Sequence, residues 1–123
     1  MNKMNGVEQG RCGEDLAAAF LLKLGYRILN RNWRLKTGEI DIIADHAGVL
    51  VFCEVKTRRS LLYGSGAEAV GRRKQQRIIR TALLYMQGLP DRPCRFDVIE
   101  VLLLPRQSPA VNHIVNAFGT WGG

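Results

Sequence analysis

The chain has 123 residues, of which 46% are apolar, enough for one compact domain with one hydrophobic core. No stretch reaches the roughly 20 apolar residues that span a bilayer. The apolar run 16–22 is bounded by Glu14, Asp15 and Lys23 and lacks the basic region and cleavage site of a secretion signal, so a cytoplasmic protein without membrane attachment is expected.

The net charge of +7 is concentrated: between Lys56 and Arg80 eight basic residues stand against the single acid Glu68, which is the whole of it. Such a segment suits a polyanion, nucleic acid above all; its other reading is a solvated helix face.

In chain order, Ala17, Ala18, Leu21 and Leu24 recur at helical spacing and predict a helix over 8–24, with Gly25 as its stop. Residues 26–30 are a short strand candidate. Thr37-Gly38 is a turn, and Glu39-Ile40-Asp41-Ile42-Ile43-Ala44 is β-rich. Asp45-His46-Ala47-Gly48 reads as a four-residue turn, Asp first and Gly fourth. Residues 49–56 are the strongest strand of the chain. A loop over 57–66 leads to a second helix over 67–87, closed by Gly88 and Pro90. Val70, Ile78, Ala82 and Tyr85 form its apolar stripe, with the arginines on the other side. A strand over 95–103 ends at Pro105, and 114–118 is a last short strand candidate. The order helix, three strands, helix, strand predicts an α/β fold, a mixed central sheet flanked by helices, in one domain over 1–123.

Cys12, Cys53 and Cys94 form no CxxC pair and stand at no ligand spacing to His46 or His113, so a zinc site is not expected. Cys53 and Cys94 read as small core residues. His46 reads as a turn residue, His113 as a surface residue and Trp33 as core.

The 45–48 turn, taken as four residues, sets Ala44 opposite Val49, Asp41 opposite Phe52 and Glu39 opposite Glu54. Alternation then puts Glu39, Asp41 and Ile43 on one face with Leu50, Phe52, Glu54 and Lys56, and Ile40 and Ile42 on the other with Val51, Cys53 and Val55. Asp41 and Glu54 become diagonal neighbours, about 7–8 Å apart at Cα. Two carboxylates so placed can share a hard cation, and Lys56 adds a charge able to orient water or steady a phosphate. The other reading is a structural ion network in which Lys56 neutralises Glu54 or Asp41. Glu14 extends the buried stripe of the first helix, which makes it a third ligand candidate; an acid near a helix N-terminus is its plain reading, and Asp15 fits that equally.

Gly13-Glu14-Asp15, Arg31-Asn32-Trp33-Arg34, Gly38-Glu39-Ile40-Asp41-Ile42-Ile43-Ala44, Phe52-Cys53-Glu54-Val55-Lys56-Thr57-Arg58 and Asn116-Ala117-Phe118 together resemble the YraN family of uncharacterised bacterial proteins over nearly the whole chain. That family is similar to the PD-(D/E)xK nucleases, and within them to archaeal Holliday-junction resolvases. The resemblance implies a restriction-endonuclease-like core and a Mg²⁺ or Mn²⁺ ion. It puts Asp41 at the metal-binding aspartate, Glu54 and Lys56 at the Glu-x-Lys and Glu14 at the acid of the first helix, with the Val55 carbonyl as a further ligand. Ile40 stands where a proline is usual. Glu39 and Gln75 are accessory candidates.

The leading reading is a metal-dependent nuclease acting on DNA, with branched and single-stranded DNA as the candidate substrates. Arg58, Arg59, Arg72, Arg73, Lys74, Arg77 and Arg80 would hold phosphates without reading sequence. The alternatives are a non-catalytic nucleic-acid-binding module with the same fold and an accessory protein for DNA processing, at which Trp33, Trp121 and the glycine-rich C-terminus hint. Resolvases act as symmetric dimers, so a homodimer is an option, with no interface legible in the sequence.

Overall fold

Among residues 6–60 and 70–119, which the computed structural model describes, seven elements follow one another. They are α1 (Gly6–Lys23), β1 (Arg27–Leu35), β2 (Gly38–His46), β3 (Val49–Arg58), α2 (Arg72–Met86), β4 (Cys94–Leu102) and β5 (Ala110–Phe118). The strands make one mixed sheet in the order β1-β2-β3-β4-β5. Only β3 and β4 are parallel; the other neighbours are antiparallel. A parallel pair needs a crossover, and α2 lies in it.

The helices cover opposite faces. Ala17, Ala18 and Leu21 of α1 pack on Ile42, Ala44, Val51, Cys53 and Ile99. Ile78 and Ala82 of α2 pack on Ile40, Ile43, Leu50, Phe52 and Val98. Both faces of β3 are therefore covered, which is why it reads as an almost unbroken apolar run. Helix α1 ends as its glycine predicts. Gly25 has φ +88°, its N–H donates to the Leu22 carbonyl and the Tyr26 N–H to the Leu21 carbonyl, while Tyr26 and Leu21 join the same core cluster. Leu24 lies past the helix and is exposed rather than part of the buried stripe.

The 45–48 turn is two residues shorter than expected. Ala47 and Gly48 both have positive φ, 52° and 84°, as a two-residue hairpin turn matched to strand twist requires, and His46 faces Val49. Asp45 does not start the turn. It belongs to β2, and its carboxylate is taken by Arg27 at 3.4 Å and by Arg92. The register moves by two, so Ile43, not Asp41, faces Phe52, and Glu39 is not opposite Glu54. A shift of two keeps the alternation, and the faces survive. Ile40 is the exception. β2 and β3 are paired only as far as Ile42 and Cys53, and beyond that point Ile40 packs with Ile43 on the α2 side.

Strands β1 and β5 are the sheet edges and longer than their sequences suggest. Arg31, Asn32 and Arg34 in β1, and Asn112, Val115 and Asn116 in β5, face solvent, so neither strand shows a full apolar pattern. Helix α2 is assigned from Arg72; the expected start at 67, the loop residues from 61 onward, Glu68 and Trp121 lie outside the described residues. Val70 precedes the helix but is buried in the α2 cluster.

Cys53 is buried as expected, whereas Cys94, at the exposed start of β4, is not a core residue. Trp33 is half-buried against Tyr85, their rings edge to face at 4.9 Å between centroids. His113 is not a free surface residue. Its Nε2 lies 2.7 Å from Asp97, a fully buried carboxylate that also accepts from Arg95 Nε at 3.0 Å and the Asn116 N–H at 3.0 Å. Burial works against the Asp97 charge, but the His113, Asn116 and Arg95 hydrogen bonds more than offset it and hold its pKa below the usual value. His46 ends β2 and stacks on Tyr26, 4.0 Å between ring centroids.

Candidate active site

The Ile42–Cys53 pair is the last hydrogen-bonded step between β2 and β3, and the next residues in that register are Asp41 and Glu54. There the strands part. The Val55 N–H, left without a β2 carbonyl, donates instead to Asp41 Oδ2 at 2.8 Å. In an extended strand the N–H and carbonyl of one residue point the same way, so the Val55 carbonyl faces the same gap.

Glu54 and Lys56 are two apart on β3 and share a face. Glu54 is 4% exposed, and its Oε1 is approached by two ammonium groups, Lys56 Nζ at 3.7 Å and Lys74 Nζ in a closer ion pair. The structure thus brings together Asp41, Glu54 and Lys56, with Asp41 and Glu54 at one register position rather than on a diagonal. It adds Lys74, which stands on α2 as a partner of Glu54 rather than as a freely exposed phosphate contact.

Glu14 reaches this region because α1 lies almost in contact with the end of β3. A Cβ on Gly13 would stand 1.9 Å from Thr57 Oγ1, so only glycine permits that approach. Glu14 Oε1 is buried and has no hydrogen-bond partner.

Burial raises the pKa of Glu14, opposed by the Arg31 charge and the Asn32 hydrogen bond. Burial pushes Asp41 up to about 8, with the Glu54 charge as the next cause and Glu14 contributing, although the Val55 N–H pulls the other way. Lys56 is lowered, first by burial and then by the neighbouring Lys74. Burial also lowers Lys74, but the hydrogen bond and charge of Glu54 more than offset it, and its pKa is raised.

Asp41 and Glu54 open into a cleft of about 310 Å³ lined also by Lys36, Thr37, Gly38, Glu39, Lys74 and Arg77. The β1–β2 turn is fastened to α2 beside it. Thr37 Oγ1 lies 2.9 Å from Thr81 Oγ1, and Thr81 donates to the Arg77 carbonyl at 2.8 Å. Gly38 lets the strands close on the helix, since a Cβ there would be 3.1 Å from Thr81 Oγ1.

The remaining candidates divide. Arg72, Arg73, Arg77 and Arg80 are exposed on α2. Arg59 is exposed near the end of β3 and lies against Gln9. Arg58 is engaged inside the protein instead. Its Nε donates to Glu100 Oε2 at 2.6 Å, with only 14% of its side chain exposed. Glu39 lines the cleft and pairs with Arg34 at 3.3 Å. Gln75 donates to the Val70 carbonyl at 2.7 Å, which holds the entry to α2.

Lys36, Thr37 and Thr81 escaped the sequence reading, as did the role of Lys74. For Lys74 a signal existed. Val70, Lys74, Ile78 and Ala82 recur every four residues, so this lysine stands on the row that meets the sheet. Nothing local pairs Thr37 of the turn with Thr81, and the two meet only in the folded chain.

The donor chemistry fits a divalent cation. Asp41, Glu54, Glu14 and the Val55 carbonyl offer oxygen only, as Mg²⁺ and Mn²⁺ prefer. The Glu54 and Glu14 charges add to burial in raising Asp41, and Glu14 has an unsatisfied buried oxygen that a cation would satisfy. The ligands are not drawn in, however: among the described residues no three His, Cys, Asp or Glu side chains form a ready cage.

No helix among the described residues is long and apolar enough to cross a membrane. Residues 13–101 match the family described as "Uncharacterised protein family UPF0102". A UPF0102 protein of Symbiobacterium thermophilum is 51% identical over 111 residues, 89% of this chain and 94% of its own. One of Geobacter sulfurreducens is 47% identical over 119 residues, 95% of this chain and 90% of its own. One of Clostridioides difficile is 45% identical over 117 residues, 94% of this chain and 100% of its own. On this match along most of its length, the chain belongs to the UPF0102 family.

Proposed function

We propose that the protein is a metal-dependent nuclease that hydrolyses phosphodiester bonds in DNA at the Asp41–Glu54 cleft, with Lys56 beside Glu54. The observation that supports this most is the break between β2 and β3. It leaves two mutually repelling carboxylates at one position, beside two lysines and under a helix with exposed arginines. A purely structural sheet gains nothing from placing a second acid beside a buried one, because the charge of Glu54 disfavours ionisation of Asp41.

Bound there, Mg²⁺ or Mn²⁺ would polarise the phosphodiester and acidify a water. Asp41 and Glu54 would hold the ion, with the Val55 carbonyl and Glu14 as further oxygen donors. Lys56 Nζ gives up its proton more readily than an ordinary lysine, which suits a group that orients water and follows its proton. Arg72, Arg73, Arg77 and Arg80 offer charge to phosphates and no base-reading geometry, so shape rather than sequence would select the DNA.

The Lys74–Glu54 pair favours a second reading, a non-catalytic DNA-binding module whose acids are neutralised internally. The test is to incubate the protein with labelled single-stranded, duplex, flapped and four-way-junction DNA, with Mg²⁺, Mn²⁺ or a chelator. The nuclease reading expects products only with metal; binding without cutting under every condition supports the module.

A further inference from the structure

Glu54 Oε1 is held from two elements at once. Lys56 comes from two residues along the same strand, while Lys74 reaches across from the first turn of α2. Lys74 is the odd member of its row, between Val70 and Ile78, which are both buried in the α2 cluster. Its side chain is 39% exposed and lines the cleft together with Lys36 and Arg77. It therefore has two places to put its charge: inward on Glu54, or outward into the cleft.

An ammonium and a divalent cation on the same carboxylate oxygen compete for its lone pairs and repel each other. A phosphate in the cleft, by contrast, is a second anionic partner for Lys74.

We propose that Lys74 is an internal counter-ion that a divalent cation must displace from Glu54, and that nucleic-acid phosphate draws it away. Cation and nucleic acid therefore bind cooperatively. This rests on the reading that Asp41 and Glu54 take a divalent cation. Lys74 acts through Glu54 and is a positioning residue. Linkage makes the coupling reciprocal: DNA tightens the cation by the factor by which the cation tightens DNA.

The test is Mn²⁺ binding followed by electron paramagnetic resonance, with and without a short phosphorothioate duplex. Wild type is compared with Lys74→Met and Lys74→Gln, with Lys23→Met as a charge-matched change at the far end of α1, and with Asp41→Asn. Circular dichroism melting identifies any variant that fails to fold; two substitutions at position 74 guard against that loss. Without DNA, both Lys74 variants should bind Mn²⁺ about tenfold more tightly than wild type, a factor ordinary for coupled sites, and Lys23→Met should not. DNA should tighten Mn²⁺ on wild type by a larger factor than on the Lys74 variants. Folded Lys74 variants that bind Mn²⁺ no more tightly than wild type overturn the proposal. If wild type still binds Mn²⁺ and Asp41→Asn does not, the metal site stands without it. Absence of Mn²⁺ binding in every protein, with and without DNA, removes both.

Discussion

Asp41 and Val55 are joined where their strands part: the aspartate Oδ2 accepts the valine N–H at 2.8 Å, taking over a bond that β2 main chain makes elsewhere along β3. A catalytic candidate thus also closes the sheet, and its charge is opposed by burial and by Glu54.

That opposition predicts a pH dependence. The folded pKa of Asp41 is near 8, against about 3.9 for an unperturbed aspartate. Between those values the folded protein binds more protons than the unfolded one, so this group's contribution is fully present at low pH and is lost as pH rises through the window. Asp41→Asn keeps an oxygen for the Val55 N–H and removes the charge. Denaturant unfolding from about pH 4 to 8 should show stability falling less steeply in Asp41→Asn than in wild type. Parallel profiles would contradict the assignment.

Gly13→Ala should destabilise the protein although alanine favours helix. The new Cβ would meet Thr57 Oγ1 at 1.9 Å, and overpacking of this kind costs about 1–3 kcal/mol, more than the about 1 kcal/mol that alanine gains over glycine in a helix. In a Thr57→Ala background the nearest atom becomes the residue 57 Cβ at 3.1 Å. The loss should shrink there, and a double-mutant cycle by urea unfolding measures by how much.

Removing Asp97 should be costly away from the cleft. Asp97→Ala leaves Arg95, His113 and the Asn116 N–H without their shared acceptor. Breaking a buried ion pair from one side costs about 3–5 kcal/mol. Because the Asp97 pKa is lowered in the fold, its contribution is present above the unfolded value and is lost as pH falls through the folded one. Wild type and variant should therefore converge in stability toward strong acid.

Arg73→Ala and Arg77→Ala should weaken DNA binding about equally for all sequences. Each should lower the slope of log K against log salt by about 1, as loss of one phosphate contact does. Fluorescence anisotropy over a salt series reads both quantities; an unchanged slope would place the DNA elsewhere.

The faces of the central strands were legible because alternation survives a register change of two. The register itself was not. Asp45 has the identity of a turn-starting residue, yet Arg27 and Arg92, distant in sequence, recruit it into β2. Edge strands β1 and β5 were underread because their exposed polar residues erase the apolar pattern. At the site, Asp41, Glu54 and Lys56 were legible as chemistry on a strand. Lys74 and Arg58 were counted with the other cations because charge along a sequence does not reveal which acid each meets in the fold; Glu54 and Glu100 decided that. The Asp97–His113 contact joins β4 to β5 through side chains that no local pattern pairs.

In the proposed reaction Asp41 and Lys56 act on DNA. Single-turnover cleavage by wild type, Asp41→Ala and Lys56→Ala with Mg²⁺ or Mn²⁺, with DNA binding measured on the same preparations, tests it directly. Both variants should bind DNA but cut at least about 10²-fold more slowly, Lys56→Ala through loss of an acid–base group and Asp41→Ala through loss of a metal ligand. Cutting at the wild-type rate by either variant, or binding by all three proteins with no cutting under either metal, would contradict it.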